Sequence, residues 1–309
     1  MRVVEFAGMV GSGKSVLAAG ARAHLRGSGR DVLSLDAAVA YAVGRVRGLR
    51  VFSSTKSVRS LAVAFGVLGF VAAHPGLTRQ VLRSQWGLPI TVGHRRIILG
   101  LFFRQMGALR FVDGSLRDDQ IVVLDEGPTH RAVNLFSWAR RIDPIAVTAY
   151  LQALPTRSLV VFVSVPKAVA VERTHDRGYP KRLDTSDGAA VRRFMDNAAA
   201  VSTLVEGHVA GRKGDAVIVR NDADVAAAEA DLASRLDEHL GREPRQILRS
   251  TPLRRIRLPR PDRIQLRAGR AWDQATIAEL SRSYGFDQVG AVRSAPHSGR
   301  SDVAVLDTE

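Results

Sequence analysis

Short apolar runs, separated by longer stretches with helical spacing, recur along residues 1–240 of the chain. The runs that predict strands are residues 3–7, 31–36, 120–125, 158–163 and 215–219. A continuous apolar run such as residues 120–125 is typical of a parallel strand covered on both faces. Because a helical stretch follows each strand, we expect parallel strands joined by right-handed crossovers. The pattern therefore predicts an α/β domain with helices on both faces of its sheet.

The helical stretches are punctuated by glycine and proline. Residues 15–26 form the first predicted helix, which Gly27 and Gly29 end. Residues 37–112 are mostly helical and form an insert between the second and third strands. Asp143 followed by Pro144 is typical of a helix cap with proline at the first helical position. Residues 61–73 form an apolar run of 13 residues. Because a spanning helix needs about 20 residues, this run predicts a buried helix.

The composition changes after the predicted helix 225–240. Residues 241–309 begin with a segment dense in arginine and proline, which buries little apolar surface. We therefore expect one folded domain over residues 1–240 and an irregular, partly disordered tail over residues 241–309. Residues 273–284 are the one part of this tail that predicts a short helix.

A phosphate-binding signature stands between the first strand and the first helix. Residues 8–15 read GMVGSGKS, which matches GxxxxGK[ST] in the strand-turn-helix context that this signature requires. Its glycines let backbone N–H groups approach a phosphate. Lys14 is predicted to reach the β- and γ-phosphates, and the Ser15 hydroxyl to hold Mg²⁺. The predicted nucleotide-binding residues of this segment are Gly8, Gly11, Ser12, Gly13, Lys14, Ser15 and Val16.

Two acidic residues follow the third strand. Asp125 ends the strand at the edge where ligands bind in α/β sheets, which predicts a second Mg²⁺ contact; a carboxylate that caps the next turn is the alternative. Glu126 predicts a general base that accepts the proton of an attacking hydroxyl or orients a water. An exposed loop glutamate is the alternative interpretation of Glu126.

Two arginines one helical turn apart follow the fourth strand. Arg173 and Arg177 can face the same way while the helix lasts. On a mobile segment over the phosphate-binding loop, residues 173–186, they would neutralise charge on a transferred phosphoryl group. A solvated helix end is the alternative.

The formal net charge of +15 is unevenly distributed. No acidic residue lies between Asp36 and Asp113, whereas eleven lysines and arginines do. Such a stretch favours an anionic partner: a phosphorylated acceptor, an anionic membrane surface or a nucleic acid. A solvated face remains the other interpretation.

Other features restrict the function classes. The chain has no cysteine, which excludes disulfides and thiolate sites, and its eight histidines show no metal-ligand spacing. Aromatic residues are sparse, at 6%, which makes nucleic-acid binding an unfavoured prediction. The first strand begins at Arg2 without a cationic leader, so we expect a cytoplasmic protein.

These motifs together resemble the thymidylate kinase and nucleoside monophosphate kinase-like group over about residues 1–240. The resemblance implies a P-loop NTPase with a five-stranded parallel sheet in the order 2-3-1-4-5, Mg·ATP as donor and a lid carrying Arg173 and Arg177. It also implies that the loop near Arg220 and Asn221 lies beside the adenine. Asp36, at the tip of the second strand, is where small-molecule kinases of this fold hold the acceptor hydroxyl, or else it caps the following helix.

The chain departs from thymidylate kinases at two motifs. Asp125-Glu126-Gly127 stands where those kinases have Asp-Arg followed by an aromatic residue or His, and Met9 and Val10 stand where they have an acidic residue. Arg131 either replaces the missing arginine or is a surface arginine, and we favour the second interpretation. Specificity for thymidylate is therefore not expected.

The sequence predicts a Mg²⁺-dependent kinase that transfers the γ-phosphoryl group of ATP to a small, anionic acceptor. Glu126 or Asp36 would take the acceptor proton. The alternative is a regulatory nucleotide-binding ATPase whose basic insert and tail contact a membrane surface or a protein. A nucleic-acid-binding ATPase ranks third, and the pattern is compatible with a homo-oligomer.

Overall fold

The computed structural model of the chain describes residues 2–46, 56–117, 119–155, 158–180, 183, 185–212, 214–222 and 224–241. The chain divides after Arg245 into two units, and all the described residues belong to the first. The predicted tail beyond Gly241, with its helix at residues 273–284, lies outside the described residues.

Five strands form one parallel sheet. They are β1 (Arg2–Gly8), β2 (Asp31–Leu33), β3 (Gln120–Leu124), β4 (Ser158–Ser164) and β5 (Ala216–Arg220). Their order is β2-β3-β1-β4-β5, and each neighbouring pair is parallel. Both the parallel α/β sheet and the strand order are confirmed.

Ten helices connect or follow these strands within the described residues. They are α1 (Lys14–Gly27), α2 (Leu35–Arg45), α3 (Lys56–Ala73), α4 (Pro75–Ser84), α5 (Val92–Val112), α6 (Arg131–Phe136), α7 (Pro144–Ala153), α8 (Lys167–Arg177), α9 (Gly188–Ala210) and α10 (Val225–Gly241). The predicted cap of α7 is confirmed, because Asp143 accepts hydrogen bonds from the N–H groups of Ile145 and Ala146.

The helices cover both faces of the sheet. On one face, α1 and α10 pack against β1 and β4 through residues such as Leu17 and Leu236. On the other face, a larger core contains residues of α4, α5, α6, α7 and α9. Phe102 and Tyr150 are among its fully buried side chains. This burial holds β1, β3 and β4 rigidly, and their carboxyl ends meet at one edge of the sheet.

The second strand is shorter than its apolar run predicts. It ends at Leu33, and Ser34 caps α2 by accepting a hydrogen bond from the N–H of Ala37 at 3.2 Å. A serine at this position, with an acidic residue in the first turn, favours the start of a helix over continuation of a strand. Asp36 therefore lies in the first turn of α2, and its predicted places at the strand tip or as the helix cap are wrong.

The prediction of a buried helix at residues 61–73 is also wrong. Of the 18 residues of α3, only Ala62, Gly66 and Phe70 are buried. These three face α5, where a Cβ on Gly66 would overlap the carbonyl oxygen of Gly107. The small residues Ala62 and Gly66 thus seat α3 closely on α5, Phe70 packs against Phe102, and the opposite face of the helix is uncovered. Within the described part of the chain, α3 is the one helix long and apolar enough to cross a membrane by length and composition.

Candidate functional site

The loop between β1 and α1 has the backbone of a phosphate cradle. Gly8, Gly11 and Gly13 have φ angles of 143°, 84° and 86°, in the region that favours glycine. The N–H of Ser12 closes the turn on the carbonyl oxygen of Met9 at 3.1 Å, and α1 begins directly after Gly13. The loop therefore leads into a helix N-terminus, where backbone N–H groups bind anions.

Two further elements pack against this loop and fix its shape. A Cβ on Gly11 would overlap the backbone oxygen of Ala170 in α8, and a Cβ on Gly13 would overlap the amide of Asn221. The Asn221 side chain donates a hydrogen bond to the carbonyl oxygen of Ser12 at 2.8 Å. In turn, Arg173 donates to the carbonyl oxygen of Asn221 at 2.9 Å. The loop, α8 and the segment after β5 are thus joined by direct contacts.

Lys14 is buried at the start of α1. Its ammonium group donates a hydrogen bond to the carbonyl oxygen of Met9 at 3.0 Å, so the side chain crosses the loop. Burial lowers the pKa of Lys14 to about 8, the charge of Glu126 opposes that shift, and the charge of Arg177 adds to it. Ser15 and Val16 are exposed in the next turn. Lys14 is therefore close enough to a carboxylate after β3 and to an arginine of α8 for both charges to affect its pKa.

Glu126 is held by side chains from two helices. One carboxylate oxygen lies 3.2 Å from the guanidinium of Arg131, and the other lies 3.4 Å from Nε2 of His130. Gln105 of α5 accepts a hydrogen bond from Arg131 at 2.9 Å and donates to the backbone oxygen of Glu126. Burial favours the neutral carboxyl, but the contacts with His130, Arg131 and Lys14 outweigh it and hold the pKa of Glu126 well below its usual range. Glu126 is therefore ionised at neutral pH.

His130 is fully enclosed beneath Glu126. Burial lowers the pKa of His130 to about 4, and the charge of Lys14 contributes to the same shift. A neutral imidazole that donates Nε2–H to Glu126 leaves Nδ1 as an acceptor, and Nδ1 is buried without a hydrogen-bond partner among the described residues. His130 thus fixes the position of Glu126 without neutralising its charge.

Asp125 follows β3 directly, as predicted, but its carboxylate forms an ion pair with Arg22 of α1. Two helical turns separate Arg22 from Ser15 along α1, so both residues lie on the same side of the helix. The side chain of Asp125 remains 42% exposed, which leaves it accessible to a further cation. Asp36 is in different surroundings, because its exposed carboxylate lies 3.8 Å from Arg104 of α5.

The arginines predicted for a lid belong to a packed helix. Arg173 and Arg177 are both in α8, which contacts the loop at Gly11. Arg173 is tied to Asn221, whereas Arg177 is exposed and close enough to Lys14 to affect its charge. The start of the predicted lid, residues 173–186, is thus helical up to Arg177, and its role as a lid stays a prediction. Arg220 is exposed at the end of β5, next to Asn221.

Sequence reasoning missed several residues of this site, namely Arg22, Gln105 and His130. It expected Asn221 near the adenine but not its hydrogen bond to the loop. The favoured interpretation of Arg131 as a surface arginine is wrong, because its side chain is only 12% exposed and pairs with Glu126. The spacing of Glu126, His130 and Arg131, four and five residues apart, was the available signal. Within the described residues, no group of three histidine or acidic side chains is arranged to hold a metal ion.

Comparisons with known proteins yield likeness of fold only. No protein-family model matches the chain, and no curated protein matches it. Among solved structures, the chain is similar to a shikimate kinase from Acinetobacter baumannii in complex with shikimate, with 15% sequence identity, a TM-score of 0.32, and coverage of 79% of this chain and 96% of that one. It is also similar to a deoxyadenosine kinase from M. mycoides with bound dCTP, with 12% identity, a TM-score of 0.35, and coverage of 76% and 99%.

These TM-scores are too low to carry an argument about function. The P-loop kinase-like fold of this chain follows from its own strand order and from the geometry of residues 8–15. A likeness to thymidylate kinase in particular is not among these findings.

Proposed function

We propose that the protein is a phosphotransferase that moves the γ-phosphoryl group of Mg·ATP to a small, anionic acceptor. The observation that carries this proposal is that the phosphate cradle of residues 8–15 and a Glu126 held by His130 and Arg131 both lie at the carboxyl edge of the sheet, where the charge of Glu126 affects the pKa of Lys14. A phosphate-binding lysine alone is consistent with nucleotide binding and with nucleotide hydrolysis, so it does not distinguish either of them from phosphoryl transfer. A fixed carboxylate beside it adds a proton acceptor for an attacking hydroxyl.

The loop fits the phosphates of a nucleotide. Side chains are absent at Gly8, Gly11 and Gly13, where each added Cβ would overlap neighbouring atoms, so backbone N–H groups can approach an oxyanion. The hydroxyl of Ser12 is buried and has no hydrogen-bond partner among the described residues. These features support ATP as the donor.

The oxygen donors near the loop also fit Mg²⁺. The Ser15 hydroxyl and the Asp125 carboxylate would hold the ion, because Mg²⁺ prefers oxygen ligands and usually takes few from the protein. When bound, the ion neutralises charge on the phosphates of the nucleotide. The Arg22 contact holds Asp125 against α1 and fixes where this second donor lies.

Different residues have different roles in the transfer of the phosphoryl group. Glu126 accepts the proton of the acceptor hydroxyl while that oxygen forms a bond to the γ-phosphorus and the bond from phosphorus to the β-phosphate oxygen breaks. Lys14 and Arg177 neutralise the charge of the transferred group, and ADP leaves with the electron pair of the broken bond. His130 and Arg131 keep Glu126 ionised and in place.

An anionic acceptor is supported by the insert. Gln105 of α5 contacts Glu126, so the segment between Asp36 and Asp113, which has no acidic residue, reaches the proposed base. Cations on that segment, such as Arg104, would attract a phosphate or carboxylate group of the acceptor.

The test is Mg·ATP turnover across nucleosides, nucleoside monophosphates, sugar phosphates and buffer alone, with ADP and phosphorylated product measured together. We expect ADP to appear only with an acceptor and to match the product in amount. Lys14→Ala should lower this turnover about 100- to 1000-fold, whereas Lys167→Ala, at an exposed lysine paired with Asp196, should not change it. Equal ADP release in buffer alone would contradict the proposal and favour a regulatory ATPase.

A further inference from the structure

The outward face of α3 is apolar from Leu61 to Ala73. Leu61, Phe65 and Leu68 are 57%, 57% and 67% exposed, and their spacing places them on one side of the helix. The buried residues of α3 lie on the opposite side, against α5. Every residue from 61 to 73 is nonpolar, so no polar side chain interrupts this face. Exposure of several large apolar side chains on one helix face marks an interaction site.

Further exposed apolar side chains follow along the same insert. Leu82 at the end of α4 is 43% exposed, and Trp86 in the next turn is 85% exposed. A tryptophan with this exposure is typical of residues placed at the boundary between lipid and water, because its ring is both large and polar at one edge.

The insert that carries this face is rich in exposed cations. The described insert carries exposed cations on all its helices, and these include Arg45, Lys56, Arg79, Arg83 and Arg96. No acidic residue lies between Asp36 and Asp113 to balance them. Cations beside exposed Leu, Phe and Trp are the arrangement by which peripheral proteins hold an anionic bilayer surface.

We propose that α3 and Trp86 form a docking surface for an anionic phospholipid membrane. The apolar side chains enter the acyl boundary, and the arginines and Lys56 contact lipid phosphates. A second copy of the chain is disfavoured as the binding partner of this surface, because two identical surfaces would place cations against cations. With 18 residues and one face packed on α5, α3 lies along the membrane and does not cross it. This inference does not depend on phosphotransfer.

The experiment is sedimentation of the full-length protein with vesicles of phosphatidylcholine containing phosphatidylglycerol, compared with vesicles of phosphatidylcholine alone. We expect binding to the anionic vesicles that weakens as salt rises. The double variant Phe65→Ser with Leu68→Ser should bind at least about tenfold more weakly, since two large apolar side chains no longer leave water. The matched control is Ile145→Ser, an 80% exposed apolar residue on α7, which should bind like the native protein.

Two readouts keep the outcome unambiguous. The double variant should show an unchanged melting temperature, because both side chains are exposed. A blue shift of tryptophan fluorescence on vesicle addition should disappear in Trp86→Phe. Undiminished binding by the double variant would overturn the proposal, as would no vesicle binding at all. A dimer measured by analytical ultracentrifugation that the double variant dissociates would assign the face to a second copy and overturn it too.

Discussion

The phosphate-binding edge and the outer face of α3 depart from the usual distribution of residues in opposite ways. At the edge, charged and polar groups such as Lys14, His130 and Asn221 are buried, and neighbouring side chains and backbone atoms position them. On α3, Leu61, Phe65 and Leu68 face solvent. Buried polar groups and exposed apolar patches are both costly, so each indicates a surface arranged for something other than the fold. The difference suggests two separate roles, chemistry at the edge and docking at the insert.

The largest effect is expected from removing the proposed base. Glu126→Gln should lower kcat about 100- to 10,000-fold with little change in the KM for ATP, because proton transfer is lost while the phosphate cradle remains. Steady-state kinetics with the active acceptor measures both constants.

Asp36→Asn is the matched variant for this test, since Asp36 was the other carboxylate predicted as the base. Its exposed side chain lies against Arg104, away from the groups that hold Glu126, so we expect less than about a threefold change in kcat. A loss of activity in Asp36→Asn that equals the loss in Glu126→Gln would move the base to α2 and contradict the assignment.

The same substitution on the two sides of α3 should have very different effects on stability. Phe70→Ala, beneath the helix against Phe102, should lower the free energy of unfolding by about 3–5 kcal/mol. Phe65→Ala, on the outer face, should change it by less than about 0.5 kcal/mol. Denaturant unfolding of the two variants checks this. A large loss in Phe65→Ala would show that the outer face is covered in the folded chain.

A methyl group added to the phosphate-binding loop should disturb both the fold and binding. Gly11→Ala should lower the free energy of unfolding by about 2 kcal/mol and weaken nucleotide binding, because its φ is positive and its Cβ would overlap Ala170. Gly27→Ala, at the end of α1, is the control, since a Cβ there meets nothing within 4 Å. Gly27→Ala should be neutral or slightly stabilising. Equal effects of the two substitutions would contradict the close packing of the loop on α8.

The smallest expected effect is on pH dependence. Because the pKa of Lys14 is about 8 in the free protein, its charge is present below pH 8 and is lost as the pH rises above it. A bound phosphate favours the charged form, so ATP binding should take up protons and weaken about tenfold per pH unit above pH 8. Calorimetry in buffers of different ionisation enthalpy between pH 7 and 9 measures the uptake. Affinity that stays constant over this range would contradict the lowered pKa.

The features that the sequence predicts correctly are local ones. The segment GMVGSGKS specifies its own turn, since its glycines stand where positive φ angles occur. Continuous apolar runs predict β1, β3, β4 and β5. In a parallel sheet with helices on both faces, such strands do not need to alternate apolar with polar residues. The boundary between β2 and α2 was missed because a serine cap outweighed an apolar pattern of only a few residues.

The features that could not be predicted depend on distant contacts. Asn221 reaches the carbonyl oxygen of Ser12 across 209 residues of chain, and no spacing rule connects them. The ion pair of Asp125 with Arg22 also joins two residues that are far apart in the chain. In α3 the apolar residues surround the whole helix, so their periodicity does not show which side is buried. Contacts with α5 decide that, such as those of Gly66 with Gly107 and of Phe70 with Phe102.

The most direct test of the central claim is equilibrium binding of Mg·ATP to the native protein, to Lys14→Ala and to Phe65→Ser. It requires no knowledge of the acceptor and compares the two regions in one experiment. The account predicts one bound nucleotide per chain, binding that Lys14→Ala reduces at least about tenfold, and unchanged binding by Phe65→Ser. Nucleotide binding that Lys14→Ala leaves intact, or no binding by the native protein, would contradict the assignment of residues 8–15 as the phosphate site.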